Sequence, residues 1–182
     1  GDDRTNIVPE IVRVKEVKNA LLLRQENHTY RLLENGEEAN LTQEDFLPEV
    51  LQQDSFLTMD AEQVVDITFT DGKISALKPK SEKIGGKLLS YDEESIELEE
   101  TGRLKKADNM RIYQLYGDTG EVSENQLLIG GSLADYVVDG EEICAVLLTG
   151  HEEMDRIRVL LKTDGFADVF HQSITLCPDT AY

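Results

Sequence analysis

"QVVDITFTDGKISALKPK", Gln63 to Lys80, decides the fold. Apolar and polar residues alternate on both sides of Asp71-Gly72, and alternation at period two belongs to strands with one buried face. Asp-Gly between two such runs is a strong hairpin signal, because both residues accept the positive φ that a two-residue turn demands.

The same design extends in both directions. Downstream, "KIGGKLLSYDEESIELEE" (Lys83 to Glu100) repeats it around Asp92-Glu93-Glu94, and "RLKKADNMRIYQLYG" (Arg103 to Gly117) adds further strand. "LLIGG" (Leu127 to Gly131) resumes the pattern after a Gly and acid-rich loop, and "DYVVDGEEICAVLL" (Asp135 to Leu148) forms another pair around Asp139-Gly140. The run "ICAVLL" is apolar on both faces, which places it at the centre of a sheet or between two subdomains. Upstream, "IVRVKEV" (Ile11 to Val17), "ALLLRQ" (Ala20 to Gln25) and "TYRLLE" (Thr29 to Glu34) read as three strands of a meander, closed by Asn35-Gly36.

One helix interrupts the strands. In "LTQEDFLPEVLQQD" Thr42 is placed as N-cap with Asp45 three residues on, and Phe46, Val50 and Leu51 share a face. Pro48 shortens it or shifts its start toward Leu47. The expected fold is therefore mainly β, with small barrel-like or meander subdomains and one short helix at about residues 42–53 plugging the end of a sheet. Three regions follow from the breaks: an N-terminal meander with the helix over 1–58, a barrel-like region over 59–150, and a terminal hairpin over 157–182. "RVKEVKNALLLRQENHTYRLL" (Arg13 to Leu33) also echoes "GKLLSYDEESIELEETGRLKKA" (Gly86 to Ala107) in its plan, which points to two related small barrels.

Charge narrows the partners. The chain has 18 Lys and Arg against 37 Asp and Glu, a formal charge of -19, so its surface repels polyanions unless basic residues are concentrated. They are not: between Arg111 and Arg156 there is no Lys or Arg but ten acids. Nucleic acid is not an expected partner, and no apolar run approaches the roughly 18 residues needed for a spanning helix. The sequence starts at Gly1, consistent with removal of an upstream signal peptide. Cys144 and Cys177 read as unpaired, with Cys144 in the core; a disulfide would require their Cβ atoms to meet.

No constellation announces catalysis. His28, His151 and His171 lie in separate segments without a second ligand at metal spacing. Ile84 to Gly86 and Ile129 to Gly131 lack phosphate-loop spacing and read as bulges or kinks. Adjacent acids such as Glu93-Glu94 and Glu141-Glu142 fall at turns. "DTGEVSEN" (Asp118 to Asn125) has calcium-binding chemistry without the spacing of an EF-hand, so a solvated face is the plainer reading and no cofactor is expected. Tyr113, Tyr116 and Tyr136 are the nearest thing to an aromatic sugar platform, although Tyr113 fits the core pattern.

The C-terminal stretch "IRVLLKTDGFADVFHQSITL" (Ile157 to Leu176) consists of two alternating runs around Thr163-Asp164-Gly165. It resembles the opening of the catalytic domain in the stage II sporulation protein D (SpoIID) and amidase-enhancer family of Gram-positive bacteria. The resemblance rests on Ile157, Arg158 and Val159 in the first strand, Lys162, Thr163, Gly165 and Phe166 about the turn, and Phe170 and His171 in the second strand. It covers about 20 residues, and it implies an extracytoplasmic protein acting at the peptidoglycan of the cell wall. The family's catalytic acid lies downstream of these strands, so no catalytic residue carries over.

The resulting expectation is a noncatalytic accessory module that positions or regulates a peptidoglycan-active domain, with wall glycan or another envelope protein as partner. The alternatives are a glycan-strand hydrolase or lyase drawing on the surplus of acids, and a free-standing protein-interaction domain.

Overall fold

The computed structural model describes residues 11–150. These residues form two β-sheets, one of five strands and one of seven. The mainly-β expectation holds.

The first sheet contains β1 (Val14–Arg24), β2 (Thr29–Glu34), β3 (Glu37–Thr42), β4 (Glu62–Thr70) and β5 (Lys73–Pro79), in the order β3-β2-β1-β4-β5. Both turns legible in the sequence are present: Asn35-Gly36 joins β2 to β3 and Asp71-Gly72 joins β4 to β5, with positive φ at all four residues. β3 is harder to read from sequence, since only Leu41 of its six residues is buried.

β1 corrects the reading of "IVRVKEV" and "ALLLRQ" as separate strands. The chain does not turn at Lys18-Asn19; the register against β4 shifts between Val17 and Ala20, and Asn19 adopts φ 56. This is a bulge within one continuous strand, and the extra residue resets which side chains face inward. Val17, Ala20 and Leu22 point to one core, Leu21 and Leu23 to another.

The expected single helix is also subdivided. Thr42 does cap, in a reciprocal box with Asp45, but what it caps is a 3-10 turn at Gln43–Asp45. Pro48 then opens a one-turn helix α1 (Pro48–Leu51), and α2 (Asp54–Leu57) follows. Proline cannot donate an intrahelical bond and disfavours helical backbone at the residue before it, so a helix cannot run from Thr42 through Pro48. Val50 and Phe56 nevertheless serve as the plug, packing with Tyr30 and Phe46 at the end of the sheet. Between the two, Phe46 pairs with Ile74 of β5 in a parallel bridge, and Leu47 N–H donates to Ile74 O at 2.9 Å. The segment after β3 thereby reaches β5 and draws the sheet toward closure.

The second sheet holds β6 (Lys83–Ile84), β7 (Leu88–Tyr91), β8 (Ser95–Leu98), β9 (Gly102–Gln114), β10 (Gly120–Val122), β11 (Ala134–Asp139) and β12 (Glu142–Leu148). Its order is β6-β11-β12-β9-β8-β7, with β10 paired to β9. β6 and β7 are halves of one strand interrupted at Gly85-Gly86, where Gly86 has φ 126, so this order also returns on itself.

The two sheets share one connectivity. In each, the first strand is interrupted midway and pairs antiparallel with the second and fourth; the fourth and fifth form a hairpin; and the third region meets the fifth in parallel. In the first unit that parallel contact is the Phe46–Ile74 bridge; in the second it is the β9·β12 ladder. This is the connectivity of five-stranded OB-type barrels, with α1 and α2 as plug in one and a 3-10 turn at Glu124–Gln126 followed by buried Leu127 in the other. The sequence echo aligned β1 and β2 with β7, β8 and β9, misplacing one strand because the Lys18-Asn19 bulge mimics a turn. The sheets divide between Pro79 and Lys83, so residues 62–79 pair with the N-terminal strands and the 58/59 break does not separate the sheets. The hairpin expected at 157–182 lies outside the described residues.

A third apolar cluster joins the units. Leu21, Leu23, Leu33 and Val64 of the first sheet pack against Tyr113, Val137, Cys144, Ala145 and Leu147 of the second. β12 is accordingly buried on both faces, as "ICAVLL" requires, sending Ile143, Val146 and Leu148 into its own barrel.

Leu21→Ala should test this joint. A cavity in a shared core is expected to cost about 2–5 kcal/mol. Hydrogen exchange should show the amides of Val65 and Val146 losing protection together, whereas loss confined to Val65 would mean that the barrels unfold independently.

Candidate functional site

Two places concentrate chemistry among the described residues. The first lies where the interruptions of two strands meet. β9 carries its own irregularity: Lys106 and Arg111 align with Ile143 and Ala145 of β12, so residues 107–110 arch out of the ladder. Asn19, at the bulge of β1, meets this arch, and its Nδ2 donates to both the carbonyl and Oδ1 of Asn109 at 3.0 Å. Its N–H donates to Asp66 Oδ1 at 2.9 Å, and its carbonyl accepts from the Tyr113 hydroxyl.

Lys80 completes the cluster from the segment connecting the barrels. Only 8% of the residue is exposed, and its ammonium donates to Asn19 Oδ1 at 2.7 Å, Asp66 Oδ2 at 3.1 Å and Asp139 Oδ2 at 3.2 Å. All three of its protons have acceptors, two from the first barrel and one from the second. Backbone bonds fix it further: Lys80 N–H donates to Val64 O at 2.8 Å, and buried Gln63 donates to Lys80 O at 3.0 Å.

The electrostatics follow from this geometry. Burial alone would lower the pKa of the Lys80 ammonium, but the hydrogen bonds and charges of Asp66 and Asp139 outweigh it and leave the group above the ordinary lysine value. The bond to Lys80 holds the Asp139 carboxyl below its ordinary range. Burial pushes the Cys144 thiol up to about 11 despite the nearby Lys80, and pushes the Tyr113 hydroxyl far above its usual value. At neutral pH the cluster thus holds a saturated ammonium, a protonated thiol and a protonated phenol. Such groups join surfaces; they do not offer a nucleophile or a base.

The second place is a cleft of about 530 Å³ beside the helical plug. Tyr30 and Phe56 form its floor, with ring centroids 5.8 Å apart. Arg24 stands at one side, its guanidinium 5.8 Å from the Phe56 ring centroid and its Nη2 donating to Phe56 O at 2.8 Å. Asn27 and His28 shape the rim in left-handed backbone, φ 59 and φ 55, which non-glycine residues adopt at a steric cost.

The residues singled out in the sequence distribute as follows. Ile157, Arg158, Val159, Lys162, Thr163, Gly165, Phe166, Phe170 and His171 lie outside the described residues, as do His151 and Cys177. His28 lines the cleft. Tyr113 and Tyr136 are buried in different clusters, so the three tyrosines build no platform. In the Asp118–Asn125 stretch, Glu121 pairs with Arg111 at 3.1 Å and Glu124 with Lys106 at 2.8 Å, and among the described residues no group of three or more potential ligands could hold a metal ion. Ile84 to Gly86 forms the kink between β6 and β7. Asn19, Asp66, Lys80 and Arg24 escaped the sequence reading. Asn19 had a signal, a polar residue breaking the alternation of β1; Lys80 had none.

No protein-family model matches the chain, and a search of curated proteins finds no match.

Lys80→Met should be costly, since it leaves Asn19 Oδ1 without its donor and takes the ammonium from Asp66, which keeps the Asn19 N–H and Lys18 at 3.7 Å. A buried acceptor left unsatisfied costs about 1–3 kcal/mol, measurable by urea denaturation at neutral pH. The gap between wild type and variant should depend on pH. The Lys80 contribution is complete below the ordinary lysine pKa of about 10.4 and fades as pH rises through the higher folded value; that of Asp139 is complete above about 3.9 and fades as pH falls through its lower folded value. Melting curves from pH 3 to 11 should show the gap widest between these limits.

Asn19→Ala and Asn19→Gly lose the same side-chain bonds but differ at φ 56. Alanine should be the worse by about 1 kcal/mol; equal losses would mean that the left-handed bulge does not matter.

Proposed function

We propose that this chain is a noncatalytic accessory module of an extracytoplasmic, wall-associated protein of the SpoIID-like type. In this reading, two barrels locked at a fixed angle position a peptidoglycan-active domain that begins with the stretch from Ile157 to Leu176. The observation that carries the reading is the Lys80 junction. Buried Lys80 is held by Asn19 and Asp66 of the first barrel and by half-exposed Asp139 of the second, an arrangement suited to rigidity.

Two further features support it. β12, the last described strand, is the most deeply buried of the second sheet, and Thr149 N–H donates to Leu133 O at 3.1 Å just beyond it. A following domain would therefore be attached to a fixed point. The acidic surface suits a role in which nucleic acid and anionic membrane are not the partners, and no helix among the described residues is long and apolar enough to cross a membrane.

Purified chain incubated with peptidoglycan sacculi tests the reading. Chromatography of the soluble fraction should show no muropeptide above a buffer control, while the chain sediments with the sacculi. Muropeptide release that survives repurification would make the chain an enzyme and overturn the proposal.

A further inference from the structure

We infer that the N-terminal half of β1 is a docking edge for an extended peptide, taken up as an added strand, in which apolar residues alternate with an acidic one. β1 is 11 residues long and β2 only 6, and the ladder between them covers Leu21 to Arg24 alone. On its other side β1 pairs with β4 from Val14 onward. Asp71 N–H donates to Arg13 O at 2.8 Å, so residues 13, 15 and 17 turn their backbone groups toward β4. By the alternation of an antiparallel ladder, Val14 and Glu16 turn theirs away. Among the described residues no strand meets them there. An incoming strand would lie in line with β2 and antiparallel to β1.

The side chains around this edge give the partner's chemistry. Seven large apolar residues are exposed among those described, and three of them gather here: Ile11 at 81%, Val12 at 53% and Val14 at 61%. Val12 and Val14 share one face of the strand, which calls for apolar residues on that face of the partner. The other face, that of buried Val17, carries Arg13 and Lys15 beside a cleft of about 470 Å³ closed below by Leu32, Ala39, Leu41 and Phe69. Glu34 lines the cleft too, but its carboxylate is bonded to Lys15 at 2.9 Å, and Asp71 takes the Arg13 N–H at 3.1 Å. No ion pair joins the Arg13 guanidinium to a carboxylate among the described residues. This face therefore fits one apolar side chain and one carboxylate.

Charge also argues against a second copy of the chain as the occupant. If two β1 edges paired antiparallel with Val14 opposite Val14, Arg13 would face Lys15; with Val14 opposite Glu16, Lys15 would face Lys15. Like charges directly opposite each other destabilise a strand pair. The edge would take up such a peptide whatever domain follows the barrels, so nothing in it rests on the wall-associated reading.

Fluorescence anisotropy of a labelled heptapeptide, Thr-Val-Glu-Val-Leu-Val-Thr, titrated with the full chain tests the edge. A counterpart with lysine for the glutamate should bind about tenfold more weakly at low salt, since an exposed pair and its repulsive reversal each count for a factor of about three, and the gap should narrow at high salt. Two further versions, N-methylated at alternate residues, each lose the donors of one peptide edge; one should fail to bind and the other should bind as before. Val14→Pro removes an outward N–H and no bond of the β4 ladder, and should abolish binding with the melting temperature little changed. Arg13→Glu, at an exposed position, should reverse the preference between the two peptides, and it serves if the proline variant unfolds. Hydrogen exchange at Val14 and Glu16 should be fast in the free chain and slow with the peptide. No binding, equal affinity for the acidic and basic peptides, or equal behaviour of the two methylated forms would overturn the assignment. Slow exchange at Val14 and Glu16 in the free monomer would mean that the chain covers its own edge, and a dimer that Val14→Pro dissociates would give the edge to a second copy; either result sinks the peptide as occupant.

Discussion

A buried ammonium has to find three acceptors, and the way Lys80 finds them organises this protein. Asn19 and Asp66 come from the first barrel and Asp139 from the second, so neither barrel alone can satisfy the group. A buried ammonium without acceptors is costly, and Lys80 has all three of its acceptors, half-exposed Asp139 among them, only where the barrels meet in this relative position. The apolar cluster around Leu21, Leu147 and Tyr113 supplies attraction between the sheets, which is nearly indifferent to small slides. The polar cluster supplies the register. Asn19 ties the two together, since its left-handed backbone redirects β1 and its side chain spans to Asn109.

Strand irregularities thus do the functional shaping here. The bulge at Asn19, the arch at residues 107–110 and the kink at Gly85-Gly86 each break a regular ladder, and the first two meet at the joint. Regular ladders build the barrels; irregular positions decide how they combine.

Legibility in the sequence followed the range of the interactions. Asp71-Gly72 and Asn35-Gly36 could be read because a two-residue turn is a local matter, and the double-faced burial of "ICAVLL" because it is a matter of composition. The bulge at Lys18-Asn19 was misread since a break in alternation has the same appearance whether the chain turns or continues; the bond from Asn19 N–H to Asp66, 47 residues away, makes the difference. Pro48 was noticed, yet the subdivision of the helix also depended on Phe46 reaching Ile74. β3 hid because five of its six residues are exposed. Of the site, His28 was visible only as an isolated histidine. Arg24 and Lys80 were ordinary basic residues at the ends of strands until their partners were brought from elsewhere in the fold.

The two barrels share a connectivity but do not meet through equivalent surfaces. The first contributes β1, β2 and β4 to the joint, the second β9, β11 and β12. A pair of like units joined by like faces is symmetric and has no direction; a pair joined head to tail has one. On the second barrel, β8 occupies the place of β2 and shows Glu97 paired with Arg103 at 3.0 Å where β2 shows Leu33. Among the described residues the apolar face that the first barrel turns to the joint is therefore not repeated at this position of the second, and the pair of barrels has a direction.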